Sequence, residues 1–135
     1  MAGLQVLEET FGAQGFHVLG FLSDDFGNQG GSSGQIGSCN SQYGITYTQF
    51  AIDHVVPQGP FPPQPVFAWL ESQPNPGPDP SALPTWNFSK YLVSRTGELI
   101  AHWDSPVYPG KDPNDPNSTF DNSAIVIAIR AELAK

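Results

Sequence analysis

The sequence has little basic charge and no long apolar run. Five Lys and Arg stand against 13 Asp and Glu, which gives a formal net charge of −8. A field of this sign repels phosphate backbones and anionic lipid, so we expect neither a nucleic-acid partner nor a membrane partner. No apolar stretch approaches the roughly 18 residues that a transmembrane helix needs, and no signal-sequence pattern begins the chain. The sequence therefore predicts a soluble, cytoplasmic protein.

Cysteine is also scarce, because Cys39 is the single one in the sequence. One cysteine excludes an intrachain disulfide and a cysteine-rich metal site, and it fits a reducing compartment. His54 and His102 have no acidic or cysteine neighbour at ligand spacing, so we expect no metal cofactor. His17 lies in an apolar segment, where a hydrogen-bonded core histidine is expected.

Glycine and proline are abundant, with 14 residues of each in 135, whereas charged residues make up 13%. A chain of this length forms one domain, predicted here to span 1–135, with much of its length in loops. Apolar spacing and turn residues predict the elements along it: a helix over 3–13, a strand over 16–22 buried on both faces, a helix over 33–42, a strand over 50–55, a helix from Val66 to Gln73, a hairpin of 91–94 with 99–103, and a last helix capped by Asp121 or Asn122.

Two polar segments are candidate binding sites. The polar loop of residues 24–34 leaves the carboxyl end of the first predicted strand, which is where open α/β sheets bind ligands, so Gln29 is a candidate contact. Trp86 and Asn87 lie between a proline-rich loop and the hairpin, and their N–H groups are candidate donors to a small substrate.

Five sequence blocks resemble the glutathione peroxidase family in their order and near their spacing. They are Leu7 to Phe21, Asp25-Phe26-Gly27-Asn28-Gln29, Tyr43-Gly44-Ile45-Thr46-Tyr47, Pro65-Val66-Phe67-Ala68-Trp69-Leu70 and Trp86-Asn87-Phe88-Ser89-Lys90-Tyr91-Leu92-Val93. The resemblance implies an α/β fold of the thioredoxin-like type, in which a mixed central sheet is flanked by helices on both faces.

The same resemblance implies a site and a reaction. In that family a peroxidatic cysteine or selenocysteine cleaves a hydroperoxide, and a thiol reductant such as glutathione or thioredoxin completes the cycle. The polar neighbours of that nucleophile match Gln29, Trp86 and Asn87, while Cys39 falls near the position of a second, resolving thiol. The acidic balance of the chain favours a protein reductant over anionic glutathione.

The chain also departs from the family pattern. The family's nucleophile, and the strand that carries it, precede the segment that matches Leu4 onward, so the resemblance implies a domain that lacks the N-terminal strand and the peroxidatic cysteine. Two interpretations follow, besides a remnant with no function of its own. The chain is either an enzyme of this lineage whose nucleophile is encoded upstream of Met1, with Cys39 as a candidate resolving or substitute thiol, or a non-catalytic binding module that forms a homo-oligomer and completes its sheet with a strand from another chain.

Overall fold

The computed structural model describes residues 2–28, 31–76 and 82–135 of the chain. The backbone divides into two compact units. The first unit consists of the described residues up to Gly20, of Gly31–Phe50 and of Tyr108–Lys135. The second unit consists of the described residues from Phe21 to Asn28 and of those within Ala51–Val107. The assignment of 1–135 to one domain stays a prediction.

Helices and short strands alternate along the described residues. They are helix α1 (Ala2–Phe11), strand β1 (Leu19–Phe21), helix α2 (Ser33–Tyr43), strand β2 (Thr48–Phe50), helix α3 (Pro65–Ser72), strands β3 (Lys90–Val93) and β4 (Leu99–Trp103), and helix α4 (Ala124–Leu133). The strands form two two-stranded sheets, β1 with β2 and β3 with β4. The predicted mixture of helix and strand is confirmed at this level. None of the described helices has the length and apolarity needed to cross a membrane.

Local signals explain the helices of the first unit. In α2, the Ser32 side chain accepts a hydrogen bond from the Gln35 N–H at 3.3 Å, and the Gln35 side chain accepts one from the Ser32 N–H at 2.8 Å. This reciprocal capping box offsets part of the weakening by the two glycines and three serines of the helix. The α2 helix ends at Gly44, whose φ of 60° suits glycine. The predicted helix over 33–42 is therefore confirmed.

The α4 helix begins one residue later than predicted. Its N-cap is Ser123 rather than Asp121 or Asn122, so that part of the prediction is wrong. The Asn122 side chain is engaged elsewhere, because it accepts the Thr119 N–H at 2.8 Å and donates to the Asn117 carbonyl at 2.9 Å. The Ser123 hydroxyl accepts the Gly110 N–H at 3.3 Å, which ties the preceding loop to the start of α4.

The α4 helix packs one face into the core of the first unit. Ile129 is 2% exposed and Val126 is fully buried, whereas Ile127 is 54% exposed. The buried apolar residues of this unit are Leu7, Phe11, Val18, Tyr47, Ile125, Val126 and Ile129. Phe11 stacks on Phe120 with ring centroids 6.1 Å apart, so α1 and the segment before α4 share this core.

The two strands of the first sheet differ from prediction. Leu19 is 54% exposed, so a strand buried on both faces is wrong there. Within the described chain β1 pairs with β2 alone. A sheet of two strands offers little surface for other elements to pack on, so side chains of β1 stay exposed. The strand expected over 50–55 lies instead at Thr48–Phe50. Residues 55 and 56 do not continue it, since the N–H groups of Val55 and Val56 bond to the Asp25 side chain rather than to a neighbouring strand.

The second unit contains a hairpin packed on a small core. Strands β3 and β4 are antiparallel, as predicted, with Leu92 opposite Ala101 and an irregularity between Leu92 and Val93. Gly97 adopts a φ of 82° in the connecting turn, a conformation that favours glycine. The core cluster consists of Val55, Phe67, Leu70 and Leu83, with Phe21, Phe26, Val56, Trp69, Tyr91 and Leu99 packed against it.

Lys90 joins the start of β3 to the loop after β4 through hydrogen bonds. Its ammonium donates to the carbonyls of Asp104, Ser105 and Val107 at 3.3, 3.0 and 2.6 Å. Burial lowers the pKa of Lys90 to about 8, although the Asp104 carboxylate acts in the opposite direction. The three carbonyls therefore offset only part of the cost of taking the ammonium out of water.

Glu8 joins α1 to the segment before β1 in the first unit. One carboxylate oxygen accepts the Val18 N–H at 2.6 Å, and the other lies 3.0 Å from His17 Nδ1. The His17 side chain is 65% exposed, so its predicted place in the core is wrong, because the ring meets Glu8 at the surface. Burial by itself raises the pKa of Glu8, but the Val18 N–H and the His17 ring lower it, and the net pKa lies below its ordinary value.

The burial pattern of α4 predicts unequal effects of the same substitution. Ile129→Ala should lower the free energy of unfolding by about 2–5 kcal/mol, because it leaves a cavity in the core. Ile127→Ala should change it by less than about 0.5 kcal/mol, since that side chain is mostly in water. Urea unfolding of both variants tests the orientation of α4, and equal losses would contradict it.

The lowered pKa of Glu8 predicts a pH-dependent contribution to stability. The folded carboxylate holds its charge to lower pH than the unfolded one, so its contribution is full above the unfolded pKa near 4.5 and is lost as pH falls through the folded pKa. Glu8→Gln should therefore be less stable than the wild type at neutral pH, and the difference should shrink in acid. Urea unfolding at neutral pH and at about pH 3 measures this difference, and an unchanged difference would contradict the assignment.

Candidate functional site

Trp86 and Asn87 lie in the second unit, and both contact Phe26. The Asn87 side-chain amide donates to the Phe26 carbonyl at 3.1 Å. The Trp86 and Phe26 rings have centroids 5.8 Å apart and are tilted by 46°. The segment after the first strand and the segment before the hairpin are thus joined at one residue. Gln29, the third predicted site residue, lies outside the described residues.

The backbone around Trp86 and Asn87 is tightly bent. Phe88 has a φ of 61°, a left-handed conformation that costs energy for a residue with a bulky side chain. The Ser89 hydroxyl donates to the Trp86 carbonyl at 3.1 Å across this bend. Strand β3 begins at the next residue, Lys90, whose three carbonyl contacts hold the bend to the hairpin. The bend therefore sets the direction of the Trp86 and Asn87 side chains just before β3 begins.

The indole of Trp86 is available to a ligand. Its residue is 52% exposed, and the indole makes no hydrogen bond to another part of the described chain. An indole N–H is a donor only. Trp86 can therefore donate to an anionic or oxygen-bearing group that reaches it.

A small open cavity of about 80 Å³ lies beside Asn87. A water molecule occupies about 30 Å³ in the liquid, so the cavity has room for a hydroperoxide group. Its walls are mostly aromatic or aliphatic, and Ser23, Asn87 and Ser89 supply polar side chains. The other lining residues are Phe21, Phe26, Val55, Phe67, Pro84, Phe88 and Tyr91. The cavity therefore presents polar groups and apolar rings side by side to a small group of atoms.

Asp25 is a polar residue that the sequence analysis did not select as a site residue. Its side chain is 3% exposed, and its carboxylate accepts from His54 Nδ1 at 2.7 Å and from the N–H groups of Val55 and Val56 at 2.7 and 3.1 Å. The sequence shows Asp25 only as part of a polar run, and its partners stand 29 to 31 positions away, so no local pattern signals the contact.

Cys39 lies in α2, in the first unit. It is a free cysteine and is half-buried. The described residues hold no cluster of three or more His, Cys, Asp or Glu side chains that would bind a metal ion. The residues of the second unit therefore form the candidate site, and the role of Cys39 stays a prediction.

Comparison with known proteins places this chain in a family. No protein-family model matches the chain. It is similar to the hydroperoxy fatty acid reductase gpx1 of Synechocystis, at 38% identity over 117 residues, covering 79% of this chain and 65% of the relative. It is also similar to the glutathione peroxidase homolog BsaA of Halalkalibacterium halodurans, at 35% identity covering 83% of this chain and 69% of the relative.

A third relative is the glutathione peroxidase-like peroxiredoxin gpx1 of Schizosaccharomyces pombe. It is 34% identical over 122 residues, covering 87% of this chain and 73% of the relative. The matched region thus spans about two thirds of the length of these relatives. Similarity of this extent, with three relatives from distant organisms, shows that the chain belongs to the glutathione peroxidase family.

Proposed function

We propose that this chain carries the peroxide-binding site of a thiol-dependent hydroperoxide reductase. The observation that supports the proposal is the meeting of Trp86 and Asn87 at Phe26, beside a small cavity. The relatives named as peroxidases, a hydroperoxy fatty acid reductase and a peroxiredoxin support the same reaction class.

The proposed reaction moves one oxygen atom from a hydroperoxide to sulfur. A thiolate attacks the outer peroxide oxygen, so that an S–O bond forms, the O–O bond breaks and an alcohol or water leaves after taking a proton. The sulfenic acid then condenses with a thiol to give a disulfide and water, and a second thiol reduces that disulfide. Two electrons reach the peroxide, and two thiols supply them.

Negative charge develops on the leaving oxygen during this step, and N–H donors stabilise it. We assign that role to the Trp86 indole, which is half-exposed and faces no other acceptor in the described chain. Asn87 orients the site, since its amide is fixed on the Phe26 carbonyl. Gln29 joins them as a donor in this proposal, on the strength of its sequence match alone. Donors placed in advance act without a reorganisation cost.

The exposed aromatic rings beside the cavity favour an organic hydroperoxide. Phe88 is 54% exposed at its edge, and Phe26 and Tyr91 form part of the lining. Such a surface binds a hydrocarbon tail better than it binds hydrogen peroxide, which has none. The relative from Synechocystis is named for a hydroperoxy fatty acid. We therefore propose a hydroperoxide with an acyl or aromatic substituent as the substrate.

The remaining features of the proposal concern the sulfur, the reductant and the fold. Cys39 is the thiol that this sequence supplies, as a substitute nucleophile or as a resolving thiol. The net charge of −8 favours a thioredoxin-type protein over glutathione as the reductant. We also propose a thioredoxin-like arrangement of the sheets and a cytoplasmic location, where thiols stay reduced.

Loss of the Trp86 N–H should slow the reaction without loss of the fold. Trp86→Phe retains an aromatic ring beside Phe26 but removes the donor, and removal of one such donor typically lowers kcat by about a hundredfold or more. Consumption of cumene hydroperoxide is measured with thioredoxin, thioredoxin reductase and NADPH. Trp103→Phe is the matched control, because Trp103 lies in β4, whereas Trp86 packs on Phe26 of the cavity wall.

The outcomes separate enzyme from binding module. Equal rates for Trp86→Phe and Trp103→Phe would refute the assigned role of Trp86. No turnover by the wild-type chain with either thioredoxin or glutathione would refute the reductase and favour a non-catalytic member of the family.

The same assay tests Cys39. Cys39→Ser should abolish peroxide consumption, because the hydroxyl cannot enter the sulfenic acid and disulfide steps. Thermal unfolding of this variant should match that of the wild type, since serine is similar in volume to cysteine. Full consumption by Cys39→Ser would show that the reaction does not use this thiol.

A further inference from the structure

Asp25 presents a carboxylate to three donors from one short segment. Its two oxygens accept the N–H groups of Val55 and Val56 and lie 2.7 Å from His54 Nδ1. The side chain is 3% exposed, whereas the His54 side chain is 39% exposed. Buried backbone N–H groups need a partner, and Asp25 supplies it for two consecutive residues that no strand pairs within the described chain.

The carboxylate is held in its charged form by these donors. Burial by itself raises the pKa of Asp25, but the His54 ring, the N–H groups of Val55 and Val56 and the Ser23 hydroxyl lower it, so that the net pKa lies below its ordinary value. Hydrogen bonds to a charged acceptor are about twice as strong as neutral ones. The hydrogen bonds between Asp25 and residues 54–56 are therefore strong at neutral pH.

Both segments joined by Asp25 form the wall of the cavity. Ser23 and Phe26, on either side of Asp25 in sequence, line it, and so does Val55. Phe26 is also the residue that accepts the Asn87 amide and contacts the Trp86 ring. Asp25 thus directly precedes Phe26, the residue that both Trp86 and Asn87 contact.

We propose that Asp25 is a positioning residue for Trp86 and Asn87, which acts by fixing the segment of residues 23–26 on residues 54–56. The catalytic consequence rests on the proposed function, whereas the positioning itself does not. Loss of the carboxylate frees the Phe26 carbonyl to move, and a displacement of about 1 Å at a reacting centre can cost a hundredfold in rate.

His54 has the smaller part in this arrangement. Its ring supplies one of three hydrogen bonds and stacks on Phe61 with centroids 6.0 Å apart. His54→Gln leaves both backbone donors in place, so the site should be perturbed less by this change than by Asp25→Asn. The order of the two variants distinguishes the carboxylate as the positioning group from the histidine.

The first test observes the site without any reaction. In two-dimensional ¹H–¹⁵N spectra of the full chain at neutral pH, the Trp86 indole signal is assigned from Trp86→Phe, and the Asn87 side-chain signals from Asn87→Asp. Asp25→Asn should shift both sets, because an amide oxygen and NH₂ cannot replace a carboxylate before three donors. His54→Gln should shift them less.

Glu8→Gln is the matched control. Glu8 also accepts one backbone N–H and faces one histidine, but it lies in the first unit. This variant should leave the Trp86 and Asn87 signals where they are. Where Asp25→Asn does not fold, Asp25→Glu, which keeps the charge on a longer side chain, is measured in its place and should shift the same signals.

The second test uses the peroxidase assay. Asp25→Asn should lower kcat about tenfold or more with little change in KM for the hydroperoxide, because misplaced donors affect the transition state more than binding. Unmoved Trp86 and Asn87 signals in a folded Asp25 variant would overturn the positioning role. Moved signals in a protein without turnover would refute the reductase and leave the positioning role intact.

Discussion

In the second unit, the buried carboxylate of Asp25 accepts backbone N–H groups that a neighbouring strand would otherwise bind. After β2 ends at Phe50, the N–H groups of Val55 and Val56 lie in a partly buried region. A donor left without a partner in such a region costs folding free energy. Asp25 accepts both of them. The core residue Val55 is thereby held at 4% exposure beside Phe67 and Leu70, and the cavity wall follows from that placement.

The same constraint explains the geometry of the candidate site. Asn87 donates to the carbonyl of the residue that directly follows Asp25, and Trp86 packs on its ring. On the opposite side, the Lys90 ammonium fixes the end of the segment through three carbonyls. The bend that carries Trp86 and Asn87 is therefore held at one end by the amide of Asn87 on the Phe26 carbonyl and at the other by the partly buried Lys90 ammonium.

Sequence patterns located those parts of the fold that depend on neighbours in the chain. The α2 helix has a capping box within four residues, and the hairpin has Gly97 in its turn, so both were predicted. The irregular backbone at Val55 was not, because its N–H group bonds to Asp25, 30 positions earlier. The exposure of Leu19 also depends on which strands pair, a property that no local run of apolar residues encodes.

The site was predicted in part for a similar reason. Trp86 and Asn87 belong to a block that resembles the glutathione peroxidases, and the structure brings both to Phe26. The match says nothing of the contact between Asp25 and His54, since a carboxylate in a polar run has the same appearance whether it is solvated or buried. Only the folded chain shows that this residue faces inward.

Phe88 combines a backbone conformation that favours glycine with a ring in the cavity wall. Its φ of 61° would suit glycine on backbone grounds alone. Its ring, however, forms part of the cavity wall, so a change to glycine would relax the main chain and open the site to solvent at the same time. Natural variants at this position should thus be judged by aromatic character before conformational ease.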